Sequence, residues 1–247
     1  MDAAKIKFLY SLLFLLSWVA CKKAEPYDIS PKYLPPVGKT YTAREMIGFK
    51  EIAFNSTTGE TGFIKKWQFK EVLIFMVDTS YSYLNNEMDS IIKHINMLTD
   101  TNLVYKRTLD RSLANLVVYL TDKNTFSTAE PGAYAAYQTV PGLIGFAYTH
   151  LGVNNKIVRA SVFLDMTRTN NNTMVDNRYL LRHEVMHTLG FLGHVTLAEF
   201  SGSCLSSSYN YSTFFSAFDK RMIPLLYHPA IKAGMNELTV SPIIINL

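Results

Sequence analysis

The chain has 247 residues, with Lys+Arg 24 against Asp+Glu 20 and a formal charge of +4. Apolar residues make up 48% and charged residues 18%, which excludes a disordered tail or a solvated coiled coil and fits one large domain or two small ones. Twelve Gly and nine Pro exclude a collagen-like chain, two Cys exclude a disulfide scaffold, and a mild charge with no basic stripe speaks against nucleic-acid binding.

Lys5 and Lys7 precede a mostly apolar run over residues 8–20, and Cys21 follows at once. As a helix that run rises only about 20 Å, short of a bilayer core of about 30 Å. A basic start, an apolar centre and a small residue before Cys21 therefore predict a secretory signal over residues 1–20. The ending Ser17-Trp18-Val19-Ala20-Cys21 resembles a bacterial lipoprotein signal, although Trp18 stands where Leu is usual. The resemblance implies a lipid on Cys21 and a mature chain outside the cytoplasm. The membrane is then a partner through that anchor, in the cell envelope at the outer membrane or cell surface. Cys204 has no disulfide partner in that case and is expected to be a small buried thiol. Residues 21–40, with Pro26, Pro31, Pro35 and Pro36, read as an extended tether.

Residues 41–67 read as a lead-in segment, with a helical turn plus a strand over 42–54 and a turn over 55–62. Residues 68–247 carry the main domain. There 71–77 is a continuous apolar run suited to a buried strand. Residues 83–98 place Leu84, Met88, Ile91, Ile92, Ile95 and Leu98 at helical spacing. Strands follow at 103–106 and 115–120, then a Gly-punctuated strand over 140–148, placed at an edge, and an alternating one over 157–166. Asp176 can cap a helix over 176–189 that Gly190 ends, and a last helix over 214–227 is bent at Pro224. This order predicts an α/β fold: a mostly parallel sheet with helices packed on it.

Three of the six His fall close together, in His183-Glu184-Val185-Met186-His187-Thr188-Leu189-Gly190-Phe191-Leu192-Gly193-His194. Positions i and i+4 share a helix face, so His183 and His187 can offer nitrogens to one metal ion at about 2 Å. Glu184 lies beside that face, where it can take a proton from a water that the metal acidifies. Gly190 lets the chain turn back so that a third ligand, His194, can arrive from the loop. In a chain of this composition His-Glu-x-x-His arises by chance in fewer than about one case in a hundred.

At these residues the chain resembles the metzincin zinc peptidases, whose pattern is His-Glu-x-x-His-x-x-Gly-x-x-His followed by a Met-containing turn. The resemblance covers residues from about 68 to about 230. It implies a zinc ion on His183, His187 and His194, with Glu184 as general base. It also implies a twisted, mostly parallel sheet with an antiparallel edge strand, a first helix, an active-site helix and a small C-terminal helical subdomain. The edge strand pairs with extended substrate in that family; here it would be 143–148, with Gly145, Phe146 and Ala147 as substrate-binding residues. Tyr211 would contact the metal or stabilise the oxyanion, with plain packing as its other reading.

Two features depart from the pattern. The third His comes one residue late, with Gly193 in its expected place, which leaves His228, Glu199 and Asp219 as competing third ligands. No Met lies in the expected turn over 207–212, where Tyr209 takes its position; Met222 lies in the following helix and reads as core. His150 reads as a loop residue and His94 as solvent-facing. Asp165 is either an outer partner of a ligand imidazole or an N-capping or loop residue. The expected function is a zinc-dependent endopeptidase acting on peptide or protein substrates. The alternative is a non-catalytic zinc-binding or protein-binding lipoprotein on a similar fold.

Overall fold

The computed structural model describes residues 40–54, 62–168, 174–208 and 212–247. The expected signal, Cys21, residues 21–39 of the expected tether, residues 55–61 of the expected turn, Asn170–Asn172 (read from sequence as a loop), Tyr209 and Tyr211 lie outside the described residues. The elements run α1 (Ala43–Phe54), β1 (Lys66–Trp67), β2 (Glu71–Met76), α2 (Ser82–Thr99), β3 (Val104–Arg107) and β4 (Leu116–Thr121). They continue with α3 (Lys123–Ala129), α4 (Pro131–Gln138), β5 (Gly145–Leu151), β6 (Lys156–Asp165), α5 (Met174–Thr188), α6 (Ala217–Leu226) and α7 (Glu237–Ile245).

The chain is an α/β fold around a mostly parallel sheet. β3, β2, β4 and β6 lie side by side in parallel, and β5 pairs antiparallel with β6, from Gly145 opposite Leu164 to Leu151 opposite Ile157. The two-residue β1 pairs in parallel with the start of β6. Alternation along β4 and β6 divides the core. Leu116, Val118 and Leu120 join Ala160, Val162 and Leu164 in the main cluster, under α1, α2, α5 and α6. Val117, Tyr119 and Phe163 face the other way, against Phe126 of α3 and Tyr137 of α4. With both faces covered, these strands read as continuous apolar runs.

Several boundaries differ from the sequence reading. Residues 43–54 are one helix rather than a turn plus a strand. Thr42 and Glu45 form a reciprocal cap, Glu45 N–H donating to Thr42 Oγ1 at 3.1 Å and Thr42 N–H to the Glu45 carboxylate at 2.8 Å. Phe49, Ile52 and Phe54 then bury that helix in the main core. Helices α3 and α4 were not expected. Asp122 caps the first by accepting from Asn124 N–H and Thr125 N–H, and Pro131 opens the second. The edge strand runs 145–151, so His150 lies within it, opposite Arg159, rather than in a loop. α7, which carries Pro242 inside it, was also not placed from the sequence. No helix among the described residues is long and apolar enough to cross a membrane.

Helix α5 is buried on most sides although its sequence is polar, a combination that needs partners for the buried charges. Glu87 of α2 supplies them. Its carboxylate accepts from Arg182 Nε at 3.0 Å and from Arg182 Nη2, and from Arg178 Nε at 2.7 Å. Both the Glu87 and Arg182 side chains are 0% exposed. The Arg182 guanidinium also stacks over Phe215, 4.6 Å from the ring centroid. His94 packs against this group, 3.4 Å from Arg182 Nη1 and at an angle to Phe215. It is therefore half-buried rather than solvent-facing, and burial beside Arg182 lowers its pKa to about 4. Glu87→Ala strands the buried Arg182 guanidinium and is expected to cost roughly 3–5 kcal/mol in urea unfolding. A loss below about 1 kcal/mol would mean that the pair does not hold α5 in place.

Candidate metal centre

His183 and His187 stand one turn apart on α5. The helix ends where Gly190 takes φ +112, in a place where any Cβ would sit 2.0 Å from the Lys65 carbonyl oxygen. The chain then folds back along α5 and brings His194 to the same point. Gly193, the extra residue of this loop, donates its N–H to the Ile52 carbonyl of α1 at 3.0 Å. Val195 and Ser207 anchor the loop further, Val195 N–H donating to the Leu205 carbonyl and Ser207 N–H to the Val195 carbonyl.

The three rings meet through their Nε2 atoms. His183 Nε2 lies 3.1 Å from His187 Nε2 and 3.2 Å from His194 Nε2. His183 donates from Nδ1 to the Cys204 carbonyl and His187 from Nδ1 to the Phe191 carbonyl, each at 2.6 Å. A carbonyl can only accept, so both rings carry their proton on Nδ1 and turn a lone pair inward at Nε2. Converging lone pairs with no hydrogen between them repel one another unless a cation lies among them. Tetrahedral coordination at about 2.05 Å would separate such nitrogens by about 3.3 Å, close to the spacing seen. These three His form a group that could hold a metal ion, and the donor set fits one.

Burial and the neighbouring imidazole bring the His183 pKa to about 3, and burial lowers His187 and His194 as well. All three are neutral near pH 7, the state a metal needs. Glu184 is 6% exposed, and burial pushes its pKa up to about 8 in the absence of a cation. No donor reaches its carboxylate among the described residues. A Cβ on Gly145 would lie 2.7 Å from Glu184 Oε1 and 2.7 Å from Leu180 Cδ1, so only glycine lets β5 pass this close to the helix.

The remaining candidates lie apart from the three imidazoles. Glu199 pairs with Arg44, and His228 Nδ1 accepts from Ala230 N–H. Asp219 is fully buried and accepts from Ser203 Oγ, Cys204 N–H, and Ser216 N–H and Oγ. Asp165, the last residue of β6, accepts from Thr167 N–H and Oγ1 and pairs with Lys123 at 3.7 Å, so its contacts hold the turn after the strand rather than an imidazole. Backbone carbonyls of Cys204 and Phe191 hold the His183 and His187 rings instead, and no side-chain pattern announces a carbonyl. The Cys204 thiol is buried, points to the Phe214 carbonyl and is held protonated by its surroundings. Asp219 fixes the turn that presents the Cys204 carbonyl to His183, so it acts on the site through the backbone.

A cleft passes over the imidazoles in two lobes of about 730 and 400 Å³. Both lobes are lined by Gly145, His183, Glu184 and His194; Phe146 and Ala147 line the smaller. Glu51 of α1 lines the larger, so the segment read as a lead-in contributes a wall of the site.

The depressed histidines make acid unfavourable to the metal-free fold. Below about pH 6.5 the unfolded chain binds protons that the folded imidazoles refuse, so stability falls as pH drops from about 6.5 toward 3. The slope is up to roughly 1.4 kcal/mol per pH unit for each histidine kept neutral, and the raised Glu184 carboxyl offsets one of them above its ordinary value of 4.5. Urea midpoints of the metal-free protein from pH 7 to pH 4 are expected to decline, and a flat profile would contradict neutral buried imidazoles.

The sequence profile of one family, described as "Protein of unknown function (DUF2927)", matches residues 43–246. No curated protein matches the chain. The match begins at the first residue of α1 and takes in every described element through α7 together with the three histidines. The chain belongs to the DUF2927 family.

Proposed function

We propose that this protein is a zinc-dependent metallopeptidase. The observation that carries the reading is the inward convergence of three neutral imidazoles beside Glu184, a buried carboxylate with no donor of its own among the described residues. An all-imidazole set of three leaves a fourth position open, as catalytic zinc sites do. When bound, the ion supplies Lewis acidity, which brings a water toward a pKa of about 7 and polarises a carbonyl.

The chain's own residues supply the rest. Glu184 accepts the proton of the attacking water on its carboxylate and returns it to the departing amine. Its charged form is favoured once a cation lies beside it, which opposes the upward push of burial. β5 has no strand on its outer side among the described residues, and its start at Gly145 passes directly over Glu184. An extended peptide added to that free edge would place a backbone carbonyl across the His–Glu group. The antiparallel direction of β5 also agrees with the edge strand implied by the metzincin resemblance. Residues 1–21 support export and a lipid anchor at Cys21, which would hold the enzyme in the cell envelope.

Zinc-loaded protein is expected to cleave members of a mixed peptide library. Glu184→Gln, which keeps the shape and the metal, is expected to lower kcat by about 10²–10⁴-fold. Equal turnover by the variant, or no cleavage by the zinc-loaded wild type, would contradict the reading.

A further inference from the structure

The larger lobe of the cleft has one unusual wall. Leu143, Ile144, Tyr179 and Leu180 make most of it apolar, and Glu51 adds one carboxylate. Lys and Arg outnumber Asp and Glu in the chain, yet neither lobe is lined by any Lys or Arg among the described residues. Apart from Glu184 beside the imidazoles, Glu51 is the one acidic group lining the two lobes among those residues.

Glu51 is held in a fixed pose without being neutralised by any described residue. One of its oxygens accepts from Thr196 N–H at 3.0 Å and the other from Thr196 Oγ1 at 2.6 Å. Both donors are uncharged. The basic residues of the same helix turn elsewhere, Arg44 to Glu199 at 3.6 Å and Lys50 to Glu237 at 2.8 Å. A carboxylate positioned by two hydrogen bonds, in a largely apolar recess and with no cation of its own among the described residues, is complementary to a side chain that has an apolar stem and a cationic head.

We infer that Glu51 selects peptide substrates carrying an Arg or Lys side chain, whose stem lies along the apolar wall and whose head pairs with the Glu51 carboxylate. The inference rests on the peptidase reading for the presence of a peptide, but the charge preference follows from the cleft itself. Acidic side chains are disfavoured at the same position by like charge.

The test is binding, separated from turnover. Zinc-loaded Glu184→Gln protein is titrated with hexapeptides, N-acetylated and C-amidated, each carrying Arg, norleucine or Glu at one scanned position. Arg is expected to bind about tenfold tighter than norleucine at one position only, because a pair with a fixed carboxylate is local whereas general charge attraction acts at every position. Adding Glu51→Gln should bring the two peptides within about twofold, and adding Glu51→Lys should move the preference to Glu. Equal binding of Arg and norleucine at every position would overturn the inference, as would an Arg preference that survives Glu51→Lys. If the positional preference is present but the zinc-loaded wild type cuts none of these peptides, the peptidase reading fails and the role of Glu51 stands.

Discussion

Two hydrogen bonds set the character of this molecule: His183 Nδ1–H to the Cys204 carbonyl and His187 Nδ1–H to the Phe191 carbonyl, each 2.6 Å long. They fix the tautomer and the plane of each ring and turn the Nε2 lone pairs toward each other and toward His194. Left alone, that arrangement is repulsive and desolvated. The surrounding structure must therefore hold it against its own tendency to open, and most of the polar architecture around α5 serves this end. Glu87 pairs with both Arg178 and Arg182 on the side facing α2. Asp219, at the start of α6, grips the turn that carries the Cys204 carbonyl. Tyr227 donates to the Leu189 carbonyl at 2.8 Å, where the last turn of α5 would otherwise leave an acceptor unmet.

Helix α1 belongs to the same construction. It receives the Gly193 N–H at the Ile52 carbonyl and holds Thr196 through Glu51, so the loop that returns His194 to the site is fixed from both sides. Phe49 meets Phe191 edge to face at 6.3 Å beneath that loop. One helix thus steadies the third imidazole and walls the cleft, which couples geometry at the imidazoles to the chemistry of whatever enters beside them.

Much of this was legible in the sequence. The apolar runs of β2 and β4 and the alternation of β6 gave the parallel sheet, because strands covered on both faces must be apolar. The i, i+4 spacing of His183 and His187 gave their shared face, and Gly190 gave the stop. What was hidden depends on contacts between residues far apart in the chain. The two carbonyls that orient the imidazoles carry no side-chain signal. Glu51 reaches the cleft only because Phe49 and Ile52 draw α1 into the core. The cap formed by Thr42 and Glu45, Asp122 as a helix cap and Pro131 at a helix start were readable signs of α1, α3 and α4, but short helices with little apolar periodicity gave them no support. His94 looked exposed because its partner, Arg182, is almost ninety residues away in the chain.

The measurement that bears most directly on this account is the metal content of the purified protein after zinc loading and removal of excess, for the wild type and for His194→Ala. Convergent imidazoles predict about one zinc per wild-type chain, and a weakening of at least about tenfold in the variant, since a site of three ligands cannot lose one without consequence. Zinc held equally by both proteins would remove His194 from the site, and no zinc on the wild type would contradict the metal centre altogether.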